Sequence, residues 1–437
     1  MDYFNYVRGE LRVEDVSVQE IAEKHGTPVY IYSGRTILEH FRKLRDAFAG
    51  AGGGSQAPLI CYSVKANSNL SILKLMKDEG SGFDVVSGGE LFRALKVGAD
   101  PKKCVFAGVG KNDEEITYAL EQGILLFNVE SEEELANIDR IAGKLGKKAP
   151  VALRVNPDVD PQTHTYISTG KKETKFGVDL TRALRILQAA QQLKNITLNG
   201  LHVHIGSQIT KVDPYVETMQ RIAAFLPEVA KLGAKIEFLD IGGGFGIWYK
   251  DKLARPAKEI ASSILPMLQK MGCRVLLEPG RFIVGNAGIL VTRVLYVKES
   301  GDKKFVICDA GMNDLIRPTL YSAYHRIWPV KTDPGYSGEA PDEEAWSGSS
   351  AVTDIVGPIC ESGDFFAKDR KLPVLKRGDL VCVFSAGAYG YAMASNYNSH
   401  PKPAEVMVAG KKAEVVTARE SMEDLLRNEK IVSFSLT

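Results

Sequence analysis

The sequence predicts a (β/α)8 TIM-like barrel joined to a second, all-β, sandwich- or barrel-like C-terminal domain. Three observations predict it. Eight short apolar runs alternate with amphipathic stretches of helical period between about residues 59 and 280. After about residue 285 apolar runs continue while helical stretches become few. Polar and Gly-rich residues recur where the runs of the first part end.

The eight runs are Leu59–Val64, Phe83–Val86, Cys104–Ala107, Leu125–Val129, Val151–Val155, Leu201–His204, Phe238–Ile241 and Val275–Glu278. Helical period marks Leu70–Glu79, Gly89–Val97, Glu114–Glu121, Glu132–Ala142, Leu180–Leu193, Val216–Leu232 and Lys258–Met271. Strands spaced by helices argue for a parallel sheet, and eight such units in roughly 250 residues argue for closure. Ile289–Lys298, Lys304–Asp309, Thr353–Cys360, Leu380–Ser385 and Glu405–Thr417 read as strands of the second domain, followed by a helix at Ser421–Asn428. The first 35 residues hold two short strand candidates, Val29–Tyr32 among them, which are assigned to the β domain. The expected boundaries are 36–283 for the barrel and 1–35 with 284–437 for the β domain. Gly50–Ser55 and Lys331–Ser350 read as loops.

The 437 residues carry 55 basic and 54 acidic side chains, a formal net charge of +1. That balance gives no electrostatic argument for nucleic acid or an acidic membrane. The first residues lack the apolar run of a signal peptide, and no span is long enough to cross a bilayer. Six cysteines stand far apart without a CxxC, so no disulfide framework or zinc site is indicated, and no metal is expected. Reduced thiols in a cytoplasm are the expectation.

Chemistry concentrates at the carboxyl ends of the predicted strands, where barrels of this class build their sites. Lys65 ends strand one in Tyr62-Ser63-Val64-Lys65-Ala66-Asn67. It is either a strand-capping lysine or, desolvated and nucleophilic, the amine of a Schiff base with an aldehyde cofactor. Asp84 with Ser87-Gly88-Gly89 ends strand two, and Arg154 ends strand five. Arg154 is either a salt-bridged barrel residue or a donor to the phenolic oxygen of such a cofactor. His202 and His204 share one face of strand six by period two, and Ser207 follows. His204 is either a core histidine or an imidazole stacked on a flat ring. Ser207 bonds either a phosphate or that imidazole. Gly242-Gly243-Gly244 after strand seven is either a tight turn or a backbone cradle for an anion. Glu278 at the end of strand eight pairs either with Arg281 or with a protonated pyridine nitrogen, and Gly280 beside it opens the backbone again. The C-terminal part adds Arg317 and Tyr321 four residues apart, Cys360-Glu361-Ser362-Gly363-Asp364, and Tyr389 in a Gly-rich bend.

Taken together these segments resemble the diaminopimelate decarboxylase family, fold-type III pyridoxal phosphate (PLP) enzymes related to ornithine decarboxylase and alanine racemase. The likeness covers nearly the whole chain. It includes Tyr62–Asn67, Arg154–Val159, Thr165–Gly170, Lys175–Gly177, His202–Gln208, Gly242–Gly246, Glu278–Arg281, Arg317–Tyr321, Cys360–Asp364 and Ala386–Gly390. The resemblance implies that Lys65 forms the imine with PLP, with Asp84 and Arg154 also in the cofactor site. His204 would stack on the ring and Glu278 face its nitrogen. Ser207, Gly242, Gly243, Gly244, Gly280 and Tyr389 would hold the phosphate, beside Arg281. Arg281, Arg317, Tyr321 and Tyr389 would bind substrate, with the arginines on a distal carboxylate. Glu361 would meet a distal ammonium and Cys360 donate a proton. The family is a homodimer whose Cys-Glu-Ser-Gly-Asp segment reaches the neighbour's site.

Paired arginines favour a substrate with a distal carboxylate over one with a distal ammonium alone. That points to meso-2,6-diaminopimelate, converted to L-lysine and CO2 at the end of lysine biosynthesis. The rivals are decarboxylation of ornithine, arginine, carboxynorspermidine or a D-amino acid, then racemisation, an inactive binding homologue, and a phosphate-binding barrel enzyme without PLP.

Overall fold

The computed structural model describes residues 2–51, 57–160, 175–250, 254–341, 343, 346 and 348–434. It divides into two compact units, Ile37–Gly285 and Met1–Thr36 with Asn286–Thr437.

The first unit is an eight-stranded parallel barrel. Its strands are Leu59–Ser63, Gly82–Val85, Cys104–Phe106, Leu126–Val129, Ala149–Asn156, Ile196–His202, Phe238–Asp240 and Arg274–Leu277, called strands one to eight. Each pairs with the next in order, strand eight returns to strand one, and the cylinder closes. Side chains on a strand alternate between faces, so one step of two residues moves along the same face. On the inner face Leu59, Cys61, Val105, Leu126, Ala152 and Leu276 form one buried apolar layer. Two residues further along the same strands stand Ser63, Asn128, Arg154 and Glu278, all buried. The register sets Ser63 opposite Asp84, and Arg154, His202 and Asp240 side by side on strands five to seven. A polar layer therefore rests on an apolar one at the carboxyl end of the barrel, where this architecture builds its sites.

Helices between the strands start on residues chosen to satisfy their first N–H groups. Ser87 caps Gly88–Lys96, Ser131 caps Glu132–Lys144 and Asp179 caps Leu180–Ala190. Asn112 forms a reciprocal capping box with Glu115 at the head of Asp113–Gln122.

In the second unit a nine-stranded sheet is organised around Gly288–Ser300. One half of this long strand pairs antiparallel with Val29–Ser33 and Leu380–Val383, the other with Lys303–Cys308. Val29–Ser33 also runs parallel to Ala404–Ala409. The sequence reading was too coarse in several places. The first 33 residues contain a three-stranded sheet of Phe4–Val7, Glu10–Val13 and Val16–Ser17, then the helix Val18–His25, before Val29–Ser33. Glu405–Thr417 is a hairpin, not one strand, turning at Gly410, whose φ of 61° suits glycine. Phe365–Pro373 is an additional strand, whose charged Lys368, Asp369, Arg370 and Lys371 mask it as a loop.

Leu276 lies in the apolar layer with no solvent exposure. Leu276→Ala is expected to cost about 2–5 kcal/mol, as deletion of a close-packed core leucine does. Denaturant melts of the variant, followed through the barrel's transition, provide the measurement.

Candidate active site

Lys65 sits in a short 3-10 turn, Val64–Ala66, immediately after strand one. The Tyr62 hydroxyl donates to the Asn67 carbonyl at 2.9 Å and closes this turn. Strand one is tied to strand eight, because Ser63 N donates to the Pro279 carbonyl at 3.0 Å and its hydroxyl to the Glu278 carbonyl at 3.2 Å. That approach requires glycine at 280: a Cβ there would stand 2.9 Å from those of Ser63 and Ala66. The Lys65 side chain is 38% exposed, and its Nζ lies 3.4 Å from Asp84 Oδ2. Asp84 is buried and also accepts from the Ser63 hydroxyl. Burial and the neighbouring Glu278 push its carboxyl up, against the pull of Lys65.

Glu278 stands at the floor of the mouth. Asn128 Nδ2 donates to its Oε1 at 3.0 Å, and His202 Nε2 lies 3.2 Å from its Oε2. Burial opposes its ionisation, but His202 and Lys65 outweigh that and hold it well below the usual carboxylate range. Asp240 takes the opposite course. Burial and the Glu278 charge raise its carboxyl well above the usual range, although it accepts the Gly242 N–H at 2.9 Å. His204 Nδ1 accepts the Gly243 N–H at 3.2 Å, which leaves its ring proton on Nε2. Burial, with Arg154 and Lys65 nearby, pushes this imidazole well below its usual value, so it is neutral.

The triple glycine is dictated in part by packing. Gly242 and Gly244 have φ of 66° and 84°. A Cβ on Gly243 would lie 2.2 Å from the Glu278 carbonyl, and one on Gly244 2.5 Å from the Gly206 carbonyl. The N–H groups of Gly242 and Gly243 are committed to Asp240 and His204, whereas that of Gly244 meets no acceptor among the described residues. Among the described residues Arg281 is not paired with Glu278, the partner its sequence neighbourhood suggested: its Nε and Nη2 donate to Ser207 Oγ at 3.3 and 3.0 Å, and its Nη1 to Tyr249 Oη at 2.7 Å. Arg154 is paired with Glu130, Nη1 to Oε1 at 2.8 Å, and lies over the Phe176 ring at 4.8 Å.

Sequence reasoning gave no role to Asn128, Glu130, Asp240 or Tyr249. Asn128 hid inside an apparently apolar run, yet an amide in such a run at a strand end carries the same signal as Lys65 and Glu278. Glu130 lies two residues beyond it and holds both Arg154 and, through Oε2, the Gly177 N–H at 2.8 Å. Thr165–Gly170 lies outside the described residues.

The remaining candidates belong to the second unit. Arg317 is buried at the start of the helix Arg317–Tyr321 and lies 5.8 Å from the centre of the Tyr321 ring. Its Nε donates to His325 Nε2 at 3.3 Å, and His325 Nδ1 in turn donates to the Phe384 carbonyl at 2.9 Å. This chain fixes the His325 tautomer and the plane of the guanidinium. Cys360 and Glu361 are exposed on a loop anchored by buried Asp364, which accepts the N–H groups of Met312 and Ile359, each at 2.7 Å. Thr319 Oγ1 donates to the Gly363 carbonyl at 2.6 Å and links this loop to the Arg317 helix. Tyr389 is half-buried with φ of 56° in the Gly-rich bend.

The family profile described as "Pyridoxal-dependent decarboxylase, pyridoxal binding domain" matches residues 35–285. Diaminopimelate decarboxylase of Aquifex aeolicus is 47% identical over 422 residues, 96% of each chain. That of Vibrio cholerae is 44% identical over 434 residues, covering 99% of this chain and 100% of the relative. The chain belongs to the diaminopimelate decarboxylase family. Among solved structures, the Helicobacter pylori diaminopimelate decarboxylase complexed with L-lysine aligns at a TM-score of 0.86 with 42% identity, covering 94% of this chain and 98% of that one. The enzyme from M. jannaschii, also with L-lysine, aligns at 0.89 with 37% identity, covering 97% and 96%. The protein is thus a pyridoxal phosphate-dependent decarboxylase.

The barrel mouth fits that cofactor. Its floor holds an ionised carboxylate suited to a protonated ring nitrogen, its wall a neutral imidazole, and its rim an amine. The Gly244 N–H and the Ser207 hydroxyl offer anion donors.

Gly244→Ala places a methyl group against the Gly206 carbonyl at positive φ. It is expected to raise the dissociation constant for PLP at least about tenfold, read by titrating the apoprotein and following the bound chromophore. In the second unit, burial pushes the Asp314 carboxyl up to about 7. The folded state then holds a proton that the unfolded chain releases above about pH 4, so stability falls as pH rises from about 4 to about 7. Asp314→Asn should flatten that slope in unfolding midpoints measured at pH 5 and pH 8.

Proposed function

We propose that the protein decarboxylates meso-2,6-diaminopimelate to L-lysine and CO2, the last step of lysine biosynthesis. The observation that carries this reading is the buried polar layer that puts Lys65 beside Asp84 and above an ionised Glu278, inside the segment matched by the pyridoxal-binding family. The substrate assignment is supported by relatives of that name along nearly the whole chain and by lysine in related solved structures.

Bound PLP supplies an electron sink for the electron pair left behind when CO2 departs. Lys65 would hold the cofactor through its amine, which lies at the rim of the barrel mouth beside Asp84. Glu278 keeps a negative charge facing the ring nitrogen, and Asp84 stands beside Lys65. His204 offers a flat uncharged face for stacking. Arg154, braced by Glu130, donates toward the phenolic oxygen. Ser207, the Gly242–Gly244 turn, Gly280 and Tyr389 serve the phosphate. Because Gly242 and Gly243 have committed their N–H groups, Gly244 is the donor of that turn.

Arg281, Arg317 and Tyr321 take the distal carboxylate, for which forked guanidinium donors are suited. The bond from Arg317 to His325 holds its fork in one plane, which lowers the entropy lost on binding. Glu361 receives the distal ammonium. Cys360 gives its thiol proton to the carbon that has lost CO2. Exposure of Cys360 and Glu361 on an anchored loop supports a homodimer in which each site takes this loop from the neighbouring subunit. Six unpaired cysteines suit a cytoplasmic setting.

Lysine release from meso-diaminopimelate, with and without added PLP, tests the reading against ornithine, arginine, carboxynorspermidine and D-amino acids. Turnover of ornithine in preference to diaminopimelate would reject it. Arg317→Ala is expected to raise KM for diaminopimelate by about 100-fold, the value of a charged hydrogen-bonded contact of roughly 3 kcal/mol, and to leave PLP affinity unchanged. Unchanged steady-state kinetics would remove Arg317 from the substrate.

A further inference from the structure

We propose that Asn128, His202 and Asp240 are positioning residues for Glu278, and that the two carboxyl groups of this cluster share a single proton that resides on Asp240. The inference rests on the decarboxylase reading and adds to it how the charge at the floor of the mouth is kept in one place.

The geometry carries it. Ligand atoms of His202, Asp240 and Glu278 all lie within 4.8 Å of one another, and all three side chains are buried. Two carboxylates so close in a desolvated site cannot both be ionised. Asn128 donates to both, to Glu278 Oε1 at 3.0 Å and to Asp240 Oδ2 at 3.3 Å. This amide spans the pair and fixes their separation. The remaining contacts decide where the charge sits. Glu278 has His202 Nε2 at 3.2 Å from its second oxygen. Among the described residues, Asp240 has the Gly242 N–H, at 2.9 Å, on its other oxygen. The imidazole therefore favours the anion on Glu278.

The other ionisable groups around the pair agree with this placement. His202 and Lys65 lower the Glu278 carboxyl. Asp84 and Glu278 raise that of Asp240. The Cys61 thiol, in the apolar layer below, is itself pushed far up by burial and by Glu278, so it adds no charge. Asp240 acts as a neutral donor and Glu278 as the only anion of the pair. A protonated ring nitrogen then meets one localised charge and not a shared, shifting one.

Infrared difference spectroscopy of the PLP-loaded protein tests this directly. Wild type minus Asp240→Asn, at pH 8, is expected to show a carboxylic-acid carbonyl band that shifts in D2O. In a Glu278→Gln background the band of the same subtraction should shift in frequency, because the Asp240 proton has lost its carboxylate acceptor while burial keeps the group protonated. A purely structural Asp240 would not respond to Glu278 in this way. Absence of the band in wild type, or an unshifted band in Glu278→Gln, overturns the proposal. Asn128→Leu should raise the PLP dissociation constant at least tenfold while KM for diaminopimelate at saturating PLP changes less than twofold. Unchanged PLP affinity would remove Asn128 from the cluster. Failure to bind PLP or to turn over diaminopimelate would instead strike the functional reading, since the apoprotein spectra still report the proton.

Discussion

One electrostatic constraint organises the barrel: a carboxylate, Glu278, must stay ionised in a place from which water is excluded. Burying a lone charge is costly enough that such a group normally takes up a proton. Here the surrounding layer prevents it. His202 and Asn128 engage both oxygens of Glu278, and the proton that burial demands is directed to Asp240. The register of the parallel strands makes this possible, because it sets Arg154, His202 and Asp240 level with one another above a layer of Leu, Val, Cys and Ala side chains.

The backbone around that layer is equally constrained. Strands one, seven and eight approach so closely at their carboxyl ends that Gly243 and Gly280 leave no space for a Cβ. The same closeness joins the Lys65 turn to the Glu278 strand end through Ser63. Glycines that look from the sequence like an anion cradle thus have two tasks. They permit the approach of neighbouring strands, and one of them retains an N–H that meets no acceptor among the described residues. Arg281 shows the same economy, since its guanidinium links Ser207 to Tyr249 across the mouth.

Much of this was legible in the sequence because two periods coincide there. Apolar runs of strand length gave all eight barrel strands to within a few residues. The break in a run by Lys65, Asp84, His202 or Glu278 marked the end at which chemistry occurs. What escaped detection was set by contacts between distant segments. Nothing near Asn128 in the chain shows that its amide reaches Asp240 and Glu278, which lie 112 and 150 residues further on. Arg281 and Glu278 are close in sequence, yet they point to different partners because a turn intervenes. The amino-terminal strands were hard to read because they are short: Glu10–Val13 alternates polar and apolar residues over four positions, too few to stand out from a loop. The Ala404–Thr417 hairpin was read as one strand because its turn holds only two residues.

The claim on which the rest depends is that Lys65 carries the cofactor. Reduction of the purified protein with borohydride, followed by proteolysis and mass spectrometry, measures it most directly. The expected result is a pyridoxyl-phosphate mass on the peptide containing Lys65 and on no other lysine. An unmodified Lys65, or the adduct on a different lysine, would contradict the placement of the active site in this barrel mouth.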